Sequence, residues 1–137
     1  MKRDNLKKGS IGERATAEYL VKKGYEIIEM NYRTRYGEID IVCKPGEHSR
    51  SERSSHSGSV RGEPLVFVEV KTKTGSDFGE PWEMVDKRKL AQVKRVATMY
   101  LKKKKLGEPL CRIDVVGVWL DELLKVTNLE HWENVGG

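Results

Sequence analysis

Two short stretches, "YGEIDIVCK" at residues 36–44 and "VEVKTKT" at 68–74, put acids where a sheet strand should be apolar. Side chains alternate along a strand, so Glu38, Asp40 and Val42 share one face while Ile39, Ile41 and Cys43 take the other. In the second stretch Glu69, Lys71 and Lys73 fall on the face of Leu65 and Phe67, opposite Val66, Val68 and Val70. Glu69 and Lys71 then stand ~7 Å apart on the same side, from a rise of ~3.3 Å per residue. If the two strands are neighbours, Asp40 lies beside Glu69, and two carboxylates and an ammonium converge. Each charge loses solvation there and the acids repel, a cost that a divalent cation offsets. Hard oxygen donors suit Mg²⁺ or Mn²⁺, and Mg²⁺ completes its shell with waters and substrate phosphate oxygens. Lys71 would then orient or deprotonate a water and offset charge developing on an attacked phosphate. The structural alternative is a surface ion pair between Glu69 and Lys71, worth little. Valines flanking both residues argue instead for a central strand. Glu38 is expected at the strand edge, in solvent.

The elements that must hold these residues follow from spacing. "SIGERATAEYLVKK", residues 10–23, is expected to be a helix, with Ser10 as its cap, Glu13 completing a capping box and Gly24 ending it. Residues 25–32 and 36–44 form an antiparallel strand pair across the polar link "RTR". Residues 45–64, rich in Ser, Gly, Arg and Glu, contribute nothing to a core and form a flexible inserted loop. The β-branched and aromatic run 65–74 is a central strand. Leu90, Val93, Ala97 and Tyr100 mark a second helix over 84–103, with Val96 and Leu101 widening its stripe and a basic face opposite. Residues 111–120 are another strand, and a short last one falls within 123–132. The result is one α/β domain over residues 1–137 with core order αβββαβ.

Charge is unevenly placed. Residues 86–105 carry +8 and residues 1–8 carry +3 in a chain of net +5, so the remainder is acidic. Basic segments around an acidic centre suit a polyanion held at the edges, although a solvated helix face explains many lysine-rich helices. Cys43 and Cys111 stand in apolar runs with no ligand spacing around them and are expected to be buried small hydrophobes. The three histidines suggest no site, His131 standing alone near the end. Asp114 in "RIDVV" is expected to be structural, paired with Arg112 or a neighbouring strand. The longest apolar run, Leu65 to Val68, is too short to span a bilayer, and no signal-peptide core follows the basic start, so a cytoplasmic location without a membrane partner is expected.

Asp40 followed by Glu69-Val70-Lys71 looks like the PD-(D/E)xK motif, the metal site of restriction enzymes and Holliday-junction resolvases. More narrowly, "GERATAEYLVKKGY", "NYRTRYGEIDIV", "VFVEVKTKTGSDFG", "DKRKLAQVKRVATMYL" and "RIDVVGV", in that order, resemble the YraN-like family of predicted bacterial endonucleases. The resemblance spans nearly all the chain outside residues 45–64, which look like an insertion relative to that family. It implies a restriction-endonuclease-like three-layer α/β/α fold with a mixed central sheet. It further implies that Asp40 and Glu69 bind metal, that the Val70 carbonyl joins them, and that Lys71 is the catalytic lysine. The first helix would add Glu13, which shares a side with Ala17 and Leu20; the competing role is a helix cap, worth about 0.3–1 kcal/mol. Ile39, not Pro, precedes Asp40, at a position that varies in the superfamily. Lys89 and Gln92 on the second helix are candidate phosphate contacts. Arg33 and Arg35 would reach the nucleic-acid backbone, or sit in a solvated turn. The expected function is a Mg²⁺- or Mn²⁺-dependent nuclease acting on DNA, branched and repair or recombination intermediates included; symmetrical cutting of two strands would favour a homodimer. The alternative is an inactive nuclease-fold module that only binds nucleic acid.

Overall fold

The computed structural model describes residues 2–46, 64–75 and 84–136. Its first helix, α1, spans Lys2–Lys22 and so begins well before Ser10. Lysine, arginine and leucine in the first turns are good helix formers and carry the helix upstream. Ser10 is therefore interior, and the expected capping box with Glu13 is absent. Gly24 ends the helix as expected, at φ 103° with its N–H bonded to the Val21 carbonyl.

Strands β1 (Tyr25–Thr34) and β2 (Gly37–Pro45) form an antiparallel hairpin, with a register shift between Ile27 and Glu29. Pro45 closes β2, whereas 47–63, most of the expected insertion, lies outside the described residues, as does 76–83. Strand β3 (Leu65–Thr74) pairs antiparallel to β2 through Ile41↔Val68, Val42↔Phe67 and Cys43↔Val66 only. Helix α2 (Lys87–Lys103) starts at Asp86, whose carboxylate accepts the Lys89 N–H, and returns the chain to β4 (Cys111–Leu120), parallel to β3 along its whole length. Strand β5 (Val126–Trp132) adds antiparallel to β4. The sheet order is β1-β2-β3-β4-β5, a mixed sheet in an α/β fold.

Each sheet face has its own core. Leu20 of α1 packs with Ile41, Cys43, Val66, Val68, Val116 and Val118. Val93, Val96, Ala97 and Tyr100 of α2 pack with Val42, Phe67 and Ile113. Strand alternation thus sorts β2 and β3 between the helices, with one exception. Ile39 joins the α2 cluster instead of the face of Ile41, at the point where β2 has no further ladder partner on β3. Cys43 is buried, and burial pushes its thiol up to about 12. Cys111 contradicts expectation: it opens β4 at the sheet's end and is exposed. Among the described residues no helix is long and apolar enough to cross a membrane.

Candidate functional site

Beyond the last β2–β3 ladder pair, Ile41↔Val68, β2 meets β3 through the Asp40 side chain. One of its carboxylate oxygens accepts the Val70 N–H at 2.8 Å. A strand residue turns its N–H and C=O toward the same neighbour, so the Val70 carbonyl faces β2 as well. Asp40 is 6% and Glu69 4% exposed. Burial, and then the neighbouring Glu69, push the Asp40 carboxyl up to about 8 against the opposing Val70 N–H; Glu13 and Glu38 add to the rise. Glu69 is raised as well, chiefly by burial, although Lys89 and Lys71 counter it. Its Oε2 lies 3.7 Å from each of those two ammonium groups. The pair with Lys71 is therefore no surface ornament, since the acid is enclosed.

Two more acids enter. Carboxylate oxygens of Glu13, Glu38 and Asp40 all lie within 4.8 Å of one another. Glu13 comes from α1, which reaches β3 closely because residue 12 is glycine: a Cβ there would overlap the Thr72 hydroxyl. The Thr16 hydroxyl also bonds the Gly12 carbonyl at 2.7 Å. Burial raises the Glu13 carboxyl, against a hydrogen bond from the Asn31 side chain. Asn31 holds the left-handed conformation, φ 53°, that asparagine tolerates better than most residues, and it lies between the β1 residues that face Ile41 and Ile39. Glu38, expected in solvent, is half-buried in the cluster and bound to Arg33 at 3.1 Å. Strict alternation had placed it on the face of Asp40; that spacing was its signal. Asn31 and Gly12 carry a fainter one, a poor strand former inside a strand and a glycine inside a helix.

A cleft of about 370 Å³ opens beside these acids, lined by Arg33, Thr34, Gly37, Glu38, Asp40, Lys89 and Gln92. Gln92 Nε2 donates to the Tyr36 carbonyl at 2.9 Å. Arg35 is exposed and stands over the Tyr36 ring, outside the acidic cluster. All the clustered acids are hard oxygen donors, the set suited to Mg²⁺ or Mn²⁺. Among the described residues no ion pair reaches Asp40, whose hydrogen-bond partner is the Val70 N–H.

A second polar network occupies the α1 face of β4. Asp114, fully buried, accepts Arg112 Nε at 2.9 Å, Arg112 Nη2 at 3.0 Å and the Asn134 N–H at 2.9 Å. His131 Nε2 lies 2.7 Å from its Oδ2, and His131 Nδ1 lies 3.0 Å from the Tyr19 hydroxyl. The expected pairing with Arg112 is present. His131, read as solitary, is instead a linking residue between β4, β5 and α1.

An αβββαβ core extended by β5, with its sheet between one helix on each face, defines a restriction-endonuclease-like α/β protein. The chain belongs to the uncharacterised protein family UPF0102, whose family model matches residues 12–118. A UPF0102 protein of Moorella thermoacetica is 41% identical over 124 residues, 90% of each chain. One of Syntrophomonas wolfei is 38% identical over 118 residues, 86% of this chain and 89% of its own. One of Pelotomaculum thermopropionicum is 37% identical over 126 residues, 92% of each.

Proposed function

We propose that this protein is a divalent-metal-dependent nuclease that hydrolyses phosphodiester bonds of DNA in the cytoplasm. The observation that carries the reading is the meeting of three carboxylates, Glu13, Glu38 and Asp40, beside the enclosed Glu69, which stands outside that 4.8 Å cluster with two lysines on it yet is near enough to raise the Asp40 carboxyl. A fold does not enclose mutually repelling carboxylates without compensation, and an oxygen-liganded cation is the compensation this donor set fits. Asp40, Glu69 and Glu13 would hold the ion, with Glu38 and the Val70 carbonyl as further oxygen donors. When bound, the ion supplies Lewis acidity and a more acidic water.

The chain's own groups do the rest. Lys71, on the Glu69 face of β3, would hold the attacking water in line as an ammonium, and would take its proton only after giving up its own to solvent. Lys89, from the opposite helix, offsets negative charge that accumulates on the phosphate oxygens as the bond breaks. Arg33 and Gln92 border the cleft and position the backbone, and Arg35 extends that contact at the rim. Hydrolysis at one such site cuts one strand; a symmetrical double cut would need a second copy of the chain.

The test is a panel of branched, flapped, single-stranded and duplex DNA incubated with Mg²⁺ or Mn²⁺. Asp40→Ala, Glu69→Ala and Lys71→Ala should each lower cleavage at least about 100-fold, the scale of a lost general-acid/base group, while circular dichroism stays that of the parent. Cleavage retained in all three would overturn the reading. Salt-sensitive binding with no metal-dependent product from the parent protein would establish a binding module instead.

A further inference from the structure

The turn between β1 and β2 carries an aromatic ring that the core does not use. Tyr36 is 37% exposed and belongs to neither face's packing. The turn is nevertheless held rigidly. Tyr36 N–H donates to Thr34 Oγ1 at 3.0 Å, the Thr34 hydroxyl donates to the Gly37 carbonyl at 3.0 Å, and Gln92 fastens the Tyr36 carbonyl. Gly37 sits at φ 144°, and a Cβ there would come within 2.8 Å of the Gln92 amide, so only glycine lets α2 grip the turn. Two guanidinium groups attend the ring, Arg95 at 4.0 Å from its centroid and Arg35 at 5.4 Å. Immediately beyond Gly37 the cleft descends to Glu38 and Asp40.

We propose that this turn is a seat for an unpaired nucleobase, with Tyr36 stacking the base next to the phosphate that enters the cleft. Successive bases of a single strand stack on aromatic rings and on arginine planes, and every base offers a π face for it. Within a duplex those faces are covered by neighbouring base pairs, so a ring at the rim selects a strand that is frayed, flapped or single. Arg95, the closer cation, backs the ring. Arg35, the looser one, is the group a base displaces, and its guanidinium then turns to the adjoining phosphate. Tyr36 is a specificity residue here, remote from the reacting atoms. The assignment rests on the nuclease reading of the acidic cleft for its substrate class.

Binding measured by fluorescence anisotropy in EDTA, where no cleavage occurs, tests it. An oligothymidylate and a blunt duplex of equal length serve as probes. Tyr36→Ala should weaken oligothymidylate binding about 10-fold, the scale of one lost base stack, and leave duplex binding unchanged. Tyr36→Phe, which keeps the ring, should bind as the parent does. Equal losses on both probes, or no loss on the single strand, would overturn the seat while leaving metal-dependent cleavage by the parent intact. A parent protein that bound neither probe and cut nothing would take both proposals down together.

Discussion

Asp40 and Asp114 are both buried acids, and the protein treats them oppositely. Asp40 has one backbone N–H and three acids for neighbours, and its carboxyl is pushed up to about 8. Asp114 would also be raised by burial, but His131, Arg112 and the Asn134 N–H outweigh that and hold it below its ordinary value. A depressed carboxylate stabilises the fold fully above its unfolded pKa, and that contribution is lost as pH falls through the folded pKa. Asp114→Ala removes the carboxylate that Arg112 and His131 share, leaving the half-buried Arg112 only the Tyr25 hydroxyl and a 3.9 Å contact with Glu133, and should cost about 3–5 kcal/mol near neutrality. In urea unfolding the gap between parent and variant should narrow once the pH drops well below the ordinary aspartate value of 3.8. A gap that is constant with pH would mean the loss is one of packing. Strand alternation put Glu69 and Lys71 on one side of β3, where they pair, and a spacing of two made Arg112 and Asp114 a visible pair; the bond of Asp40 to the Val70 N–H depends on where the β2–β3 ladder ends. His131 was not legible, because its partners Tyr19 and Asp114 lie far away in the chain and meet it only once α1, β4 and β5 are stacked.

At the level of elements, β3 and β4 took the bounds their β-branched runs suggested, because Leu65–Glu69 and Ile113–Leu120 are buried stretches that mark each strand strongly. Helix α1 did not. Its first turns are polar, so no apolar stripe marks them, and Ser10 offered a capping signal that the chain ignores. The consequence reaches the site: with no cap to serve, Glu13 is free to turn toward Asp40. What sets its approach is the contact of Gly12 with Thr72, invisible until the helix is laid on the sheet. Gly12→Ala should push α1 off β3 and cost about 1–3 kcal/mol, as overpacking does. Removing the obstructing hydroxyl in Gly12→Ala/Thr72→Ala should recover part of the loss, so the two changes are non-additive in a thermal-melt cycle. Strict additivity would show that α1 reaches the sheet by some other contact.

Across the whole molecule, the basic surplus and the acidic centre separate into different surfaces. Val93, Val96, Ala97 and Tyr100 turn inward from α2, while Lys87, Arg88, Lys94, Arg95, Lys102 and Lys103 face solvent. Lys89 is the exception, drawn in to Glu69. Composition revealed the +8 segment but not its direction, which depends on which stripe of α2 the sheet claims. On the nuclease reading, this outward face holds the nucleic-acid backbone while the cleft at its N-terminal end receives the scissile phosphate. Each lysine that neutralises a phosphate releases a counterion, so log K for duplex binding falls with log salt by about 0.9 per contact. Lys94→Ala and Lys102→Ala should each make that slope shallower by about 0.9, and the double variant by about 1.8, while weakening binding evenly across sequences. Lys125→Ala, exposed just before β5, should leave the slope as it is. An unchanged slope in the α2 variants would remove the helix from the interface and return its charge to the role of a solvated face, leaving the turn at Tyr36 and the cleft to hold the strand by themselves.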